Sequence, residues 1–524
     1  MNNKIKNTYK DFPLLKLKIA SGKFFIDFKI NGKFSIADQN RNIIEKDILT
    51  DLTWHLKIEN FRNERNSYSF LVSLYKNKNT AMKLIDKLRK KNFNANLQKI
   101  GEIVNINNNK IDNTFYRVLV GEYNSLDDAL NSKYYRMLEY KPTVIEERIR
   151  RSKAHFELCD EKINRVFKIN NSLNIYTSNA DTSILIYNIL NDNDTINNNH
   201  LKLYGNIKFK SGQNKLIELI KEVSLESYVQ NIVYHELGND FHLDTLKSQA
   251  VITRSNILFN LSVLNDCDYH FSDKNYIKYI KNPKDATNKI IQAVEETKGE
   301  ILLNKGNLYN IPYCKSCGGF LNDDYVICQD ISPDYLKKGL DTDKDSVKEK
   351  FFLKSEKKLN KWITQNPDVL CNPERFGSER PLVKYNNFFR WSISFTKNEL
   401  EDIVNNDFNT YDIGILFDII PMKRNRSGRI TEIEVLGSRH NLKLGKNSDI
   451  CGMLFSNKIP SNCFIIKKEI GKNGIISKYI FHGAGQGNGM GLCQAGAEVL
   501  AYNDNDYKQI LEQYFNNMVI NRIY

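Results

Sequence analysis

At 524 residues the chain exceeds one ordinary domain, and its length suggests about two to four of them. Lys plus Arg exceed Asp plus Glu by 76 to 62, a formal net charge of +14, and a surface of that sign attracts polyanions. The basic residues are scattered through an Asn-, Lys- and Ile-rich chain, however. No helix-turn-helix, zinc-finger or aromatic-basic RNA-binding signature occurs, so no nucleic-acid partner is expected. No stretch of about 18 apolar residues is present, which excludes a transmembrane helix, and nine cysteines in so long a chain do not form a disulfide scaffold. Met1 to Lys10 leads into alternating Lys and apolar residues rather than an apolar run, so no secretory signal peptide is expected there.

In chain order, residues 13–46 read as strands. Leu15 to Ile19 and Phe24 to Ile30 alternate apolar with polar positions, and Asn31-Gly32 is a hairpin turn signal. Residues 1–60 thus form a β-rich segment that can belong to the C-terminal domain, with an insertion following it. Residues 66–142 contain an internal repeat: Tyr68-Ser-Phe-Leu-Val-Ser-Leu-Tyr75 precedes Ala81, and Tyr116-Arg-Val-Leu-Val-Gly-Glu-Tyr123 precedes Ala129 at matching offsets. Each copy reads as a strand followed by a helix, the first helix showing its period over Ala81 to Leu88. Two such units around an Asn-rich hairpin, Asn105 to Asn109, predict a ferredoxin-like domain over 61–142. Through Val118-Leu-Val-Gly-Glu-Tyr123 this stretch resembles a sporulation-related repeat (SPOR) domain, and the resemblance implies binding to peptidoglycan glycan strands stripped of peptides. A generic ferredoxin-like module used for packing is the alternative.

Residues 143–524 read as one domain of mixed sheet and helix, which makes the whole an α+β multidomain chain. It opens with strands such as Leu173 to Tyr176 and Leu201 to Tyr204. Residues 225–264 read as helical, with Ser224 capping the start and Asp244 capping a second helix through Leu261. Residues 335–365 are Lys-rich and read as helical, strands dominate after Arg390-Trp391, and a last helix covers Tyr507 to Phe515.

The most informative stretch is His482-Gly-Ala-Gly-Gln-Gly-Asn-Gly-Met-Gly-Leu-Cys-Gln-Ala-Gly-Ala497, in which six of sixteen residues are glycine. It has neither the ending of a phosphate loop nor the spacing of a dinucleotide loop. Such density suits a loop needing positive φ, or a backbone pressed against a ligand. A second segment carries Leu225-Glu-Ser-Tyr-Val-Gln-Asn-Ile-Val-Tyr-His-Glu-Leu237, then Leu246-Lys-Ser-Gln-Ala-Val-Ile-Thr-Arg-Ser255. Together the two segments resemble the stage II sporulation protein D/LytB (amidase enhancer) family of cell-wall proteins. Tyr313-Cys-Lys-Ser-Cys-Gly-Gly319, Phe389-Arg-Trp391, Arg426-Ser-Gly-Arg-Ile430 and Leu454-Phe-Ser-Asn457 extend the likeness in family order across roughly 145–524. Two positions depart from it: the family's Trp and His in the glycine loop are Gln486 and Asn488 here.

The resemblance implies an envelope location and a site residue, Glu236, matching the acid of a lytic transglycosylase. Breaking a glycosidic bond requires a proton on the leaving oxygen, which a carboxylic acid in a low-polarity cleft can supply. Gln249 and Arg254, on the following helix, and Gln486, Gly487, Asn488, Gly489 and Gln494, in the glycine loop, are candidates for glycan contact. Cys267-x2-His270 and Cys314-x2-Cys317 have the short spacings that let one turn present two ligands, so zinc is a possible cofactor, with buried free thiols as the alternative. Two functions follow. One is an enzyme cleaving peptide-stripped peptidoglycan. The other is a non-catalytic wall binder or activator of a partner N-acetylmuramoyl-L-alanine amidase, as LytB-type members are described.

Overall fold

The computed structural model describes residues 14–524 except 23, 102, 107–108, 138–142, 180, 188, 191–195, 198–199, 264–270, 273–287, 323–333, 344–351, 377–385, 408–411, 446–449, 456–457 and 473. Cys267 and His270 therefore lie outside the described residues.

The alternation of Lys with apolar residues near the start does produce a strand, Leu14–Gly22, with Leu15, Leu17 and Ile19 buried. It pairs antiparallel with Ile217–Ser224, from Leu14↔Ser224 to Gly22↔Ile217. Strand Phe25–Asn31 lies instead between Thr53–Arg62 and Ser183–Ile186. Asn31-Gly32 is accordingly not a hairpin. The next strand, Phe34–Ala37, pairs with Ser172–Thr177 in the other sheet, so the turn carries the chain across. The two sheets, of nine and six strands, face each other. Phe28 of one stacks on Phe209 of the other at 5.2 Å, and Phe34 meets the fully buried Trp54 edge-on at 5.8 Å. Both sheets draw on residues 14–62 and on 153–224, so the early strands complete the later domain.

Between them, residues 65–150 form a four-stranded antiparallel sheet ordered Thr143–Arg150, Arg65–Tyr75, Phe115–Tyr123, Ala95–Ile100. By position in the unit that order is fourth, first, third, second, the ferredoxin-like arrangement. The two repeat copies are the central strands and pair with each other, Tyr75 opposite Tyr116 and Tyr68 opposite Tyr123. The repeated alanines, Ala81 and Ala129, are both buried on the helices that follow. Strands Ile103–Ile106 and Asn109–Asp112 make the hairpin expected between the copies.

Ser224 caps helix Leu225–Leu237 by accepting the Ser227 amide. The second helix, Leu243–Val263, begins earlier than expected, and Asp244 lies inside it. His242 takes the capping role: its Nδ1 accepts from the Asp244 amide, while its own amide donates to both oxygens of the buried Glu498 at 2.9 and 3.1 Å. That carboxylate sits where the helix dipole favours an anion. Within 335–365, the described helix is only Glu356–Thr364. A further core, containing Trp391, Phe455, Phe464 and Phe481, is enclosed by two three-stranded sheets between Arg390 and Ala484. The last helix, Tyr507–Tyr514, is followed by strand Met518–Arg522, which pairs with Glu300–Asn304. Among the described residues no helix is long and apolar enough to cross a membrane.

Candidate active site

Glu236 is the penultimate residue of its helix, which stops because Gly238 takes φ +78°. Its side chain keeps 20% of its surface exposed, with Lys315 Nζ 3.2 Å from Oε2. The same ammonium donates to the main-chain oxygen of Glu236. Lys315 belongs to the segment 313–319, which joins the glycine loop by backbone bonds. Tyr313–Cys314 pairs parallel with Leu492–Cys493, and Ser316 and Gln486 exchange N–H···O bonds of 3.3 and 2.8 Å. One strip of chain thus touches the carboxylate on one side and the glycine loop on the other.

The loop needs its glycines at two places above all. A Cβ on Gly489 would collide with the guanidinium of Arg429, and one on Gly491 with the carbonyl of Pro312; both glycines have positive φ. Arg429, 1% exposed, donates to the carbonyl oxygens of Cys317 at 3.1 Å and Gly487 at 3.3 Å, holding strip and loop together. Asn322 ties the same loop from another side, through its amide to Gly489 O at 2.8 Å and its side chain to Asn488 O at 3.1 Å.

Of the residues expected to meet a glycan, Gly487 and Asn488 are exposed and Gln486 is half-buried. The others are not on the surface. Gln494 and Gln249, both fully buried, bond each other at 3.0 Å, and Gln249 also donates to Thr253. Arg254, fully buried, forks onto Glu226 at 2.8 and 2.6 Å and donates to Glu300 O at 2.9 Å. Gly489 is buried as well. These four offer no surface to a glycan in this arrangement. Their side chains or backbone hold helices and loop in place, a correction to direct contact that follows from burial. His482 lies at a cleft of about 330 Å³ with Arg390, Trp391 and Lys467, and burial, then Lys467, lowers its pKa. A larger cleft of about 450 Å³ is lined by Glu300, Lys508 and Arg522, and neither cleft includes Glu236.

Cys317 is not drawn to Cys314 as a ligand pair. Its sulfur lies 3.6 Å from Cys371 Sγ and 3.1 Å from Asp341 Oδ2, and Cys493 Sγ accepts from its amide at 3.3 Å. Burial pushes Asp341 up to about 8, Cys371 up to about 12 and Cys493 up to about 11. Sequence reasoning missed Asp341 and Cys371, which no local spacing marks. The motifs around Lys315 and Arg429 are visible in the sequence, but nothing in their spacing gives either residue a role.

Residues 213–303 match the family model for Stage II sporulation protein, SpoIID. The SpoIID segment contains Glu226, Glu236, Gln249 and Arg254, and associates this part of the chain with a cell-wall related role. Residues 326–491 match a domain of unknown function, DUF8618, which takes in Arg429 and most of the glycine loop. An uncharacterized protein of Brachyspira hyodysenteriae is 27% identical over 337 residues, 62% of this chain and 73% of that protein.

Proposed function

We propose that the protein is an extracytoplasmic lytic transglycosylase of peptide-stripped peptidoglycan, with Glu236 as its general acid and base. The observation that carries the reading is the place of Glu236. It stands partly exposed at a helix end within the SpoIID segment, bonded through Lys315 to the strip that carries the glycine loop. The glycan displaces Lys315 from the carboxyl group. Glu236 gives its proton to the glycosidic oxygen as the bond to the muramyl C1 breaks, and the freed hydroxyl leaves with the departing sugar. The resulting carboxylate then takes the proton of the C6 hydroxyl of the same muramyl residue. That oxygen bonds to C1 and closes a 1,6-anhydro ring, which restores the protonated acid without consuming water. No second carboxylate is required, unlike the hydrolytic glycosidases. Gln486, Gly487 and Asn488 line the exposed edge where the glycan lies, and the 65–150 module adds a second, SPOR-like hold on the strand.

A specific observation favours a second reading. Gln486 and Asn488 stand where the family has an aromatic ring and an imidazole, so sugar stacking is lost, and a wall binder or amidase activator needs no acid. Incubation of purified stripped glycan strands with the native protein and with Glu236→Gln separates the two. Anhydromuramyl products from the native form alone support the enzyme. Binding without products from either form, with stimulation of a separate amidase, supports the activator.

A further inference from the structure

Cys317, Asp341, Cys371 and Cys493 come from four separated stretches of chain, and each is 2% exposed or less. Their ligand atoms all lie within 4.8 Å of one another. Ligand sulfurs about 2.3 Å from a tetrahedral zinc ion stand about 3.7 Å apart. The observed 3.6 Å between Cys317 and Cys371 sulfurs is therefore already that of a loaded site. We propose that these four side chains bind one zinc-like divalent metal ion in a closed tetrahedral site, built independently of the Cys267 and His270 pair.

Two further observations point to a charged occupant. The second carboxylate oxygen of Asp341 is buried without a hydrogen-bond partner. Two guanidiniums flank the group, Arg429 buried and Arg390 partly buried: Arg429 donates to Cys317 O and Arg390 to Gly318 O at 3.0 Å. Among the described residues both cations bond only neutral oxygens, Arg390 those of Ile363, Trp362 and Phe389 besides, Arg429 those of Gly487 and Asn462. A dication with three thiolates and one carboxylate carries a net charge of two minus, which two guanidiniums offset. Three sulfur ligands select zinc over magnesium or calcium. As the metal binds, the three thiol protons and the carboxyl proton pass to solvent. A Cys317–Cys371 disulfide is the competing use of these atoms, but it would remove the thiol hydrogen that Cys317 donates to the buried Asp341 Oδ2. With four protein ligands and no open position, the site is structural. It pins Cys317, two residues from the Lys315 that touches Glu236, to Cys493 at the foot of the glycine loop. The inference holds whether or not the protein cleaves glycan.

The test is metal analysis of the full chain purified without chelator, followed by exchange with cobalt. The expected result is stoichiometric zinc and, in the cobalt form, sulfur-to-metal charge-transfer absorption with the visible bands of tetrahedral coordination. Asp341→Asn and Cys371→Ser should each weaken metal binding by about tenfold to a hundredfold or more, comparable at least to the loss of an outer-shell partner. Cys267→Ser combined with His270→Ala should leave it unchanged. The proposal is overturned by metal-free native protein whose thiols all titrate on unfolding, by a native mass lower by two hydrogens, or by loss of metal with the Cys267 and His270 pair. The spectrum and the thiol titration use the native chain, so a variant that fails to fold does not obscure the answer.

Discussion

Glu226 and Glu236 stand on the same helix and have opposite fates. Glu226, 7% exposed, accepts the fork of Arg254 and the hydroxyl of Tyr524, while Glu236 faces a partly open edge with a lysine beside it. Removing one partner of a buried ion pair strands the other charge, so Glu226→Gln should cost about 3–5 kcal/mol in urea unfolding. Glu236→Gln should change stability by no more than about 0.5 kcal/mol. Equal costs at the two sites would contradict the division of roles. Arg429→Lys loses the fork that joins Cys317 O to Gly487 O, and should lower stability by about 1.5–3 kcal/mol while slowing glycan cleavage. Thermal unfolding and product release measured on one preparation check both. The helix end that carries Glu236 was legible in the sequence because its motif is local. The buried roles of Arg254, Gln249 and Gln494 were not, because a polar side chain on a helix looks the same whether it meets water or another element across more than 200 residues, as Gln494 meets Gln249.

Among the elements, strand Ile217–Ser224 carries an unusual burden. It runs between Leu14–Gly22 and Ile207–Ser211, and burial pushes Lys221 on it down to about 8. The unfolded chain holds such an amine protonated until about pH 10.4. A base whose folded pKa lies below its unfolded one destabilises the fold while it is charged. The cost is therefore full below about pH 8 and is relieved as pH rises towards about 10.4. Lys221→Met should raise the melting temperature by about 2 °C or more at pH 7, with the gain shrinking as pH rises through that window. A gain that is constant or grows with pH would contradict it. Local signals predicted the strands around Leu15–Ile19 and Phe24–Ile30 but not their partners, Ile217–Ser224 among them. Asn31-Gly32 has the chemistry of a hairpin, and the neighbours of Phe25–Asn31 are set by burial of Phe28 and Trp54 between two sheets. Strand Met518–Arg522 is short, and its partner Glu300–Asn304 is remote, so no periodicity announces it.

At the scale of the whole molecule, a ferredoxin-like unit interrupts a two-sheet domain between strands that lie side by side. Arg62 pairs with Lys153 across the insertion, so excising residues 65–150 leaves a connection short enough to close as a hairpin. The shortened chain should fold, keep the cleavage activity and bind stripped glycan strands about tenfold more weakly. Unchanged affinity in a sedimentation assay would remove the SPOR-like role. The internal repeat made the two central strands of the insertion legible, Arg65–Tyr75 and Phe115–Tyr123, but not its fourth strand, Thr143–Arg150, which lies beyond the expected bounds of 61–142. The cysteine and aspartate cluster was not legible, since its members meet only once the parts between Cys314 and Cys493 have folded together. The central claim, that Glu236 cleaves glycan without water, is tested most directly by digesting stripped strands in heavy-oxygen water and weighing the products. The account predicts anhydromuramyl ends free of label, absent with Glu236→Gln. Labelled reducing ends, or the same products from Glu236→Gln, would contradict it.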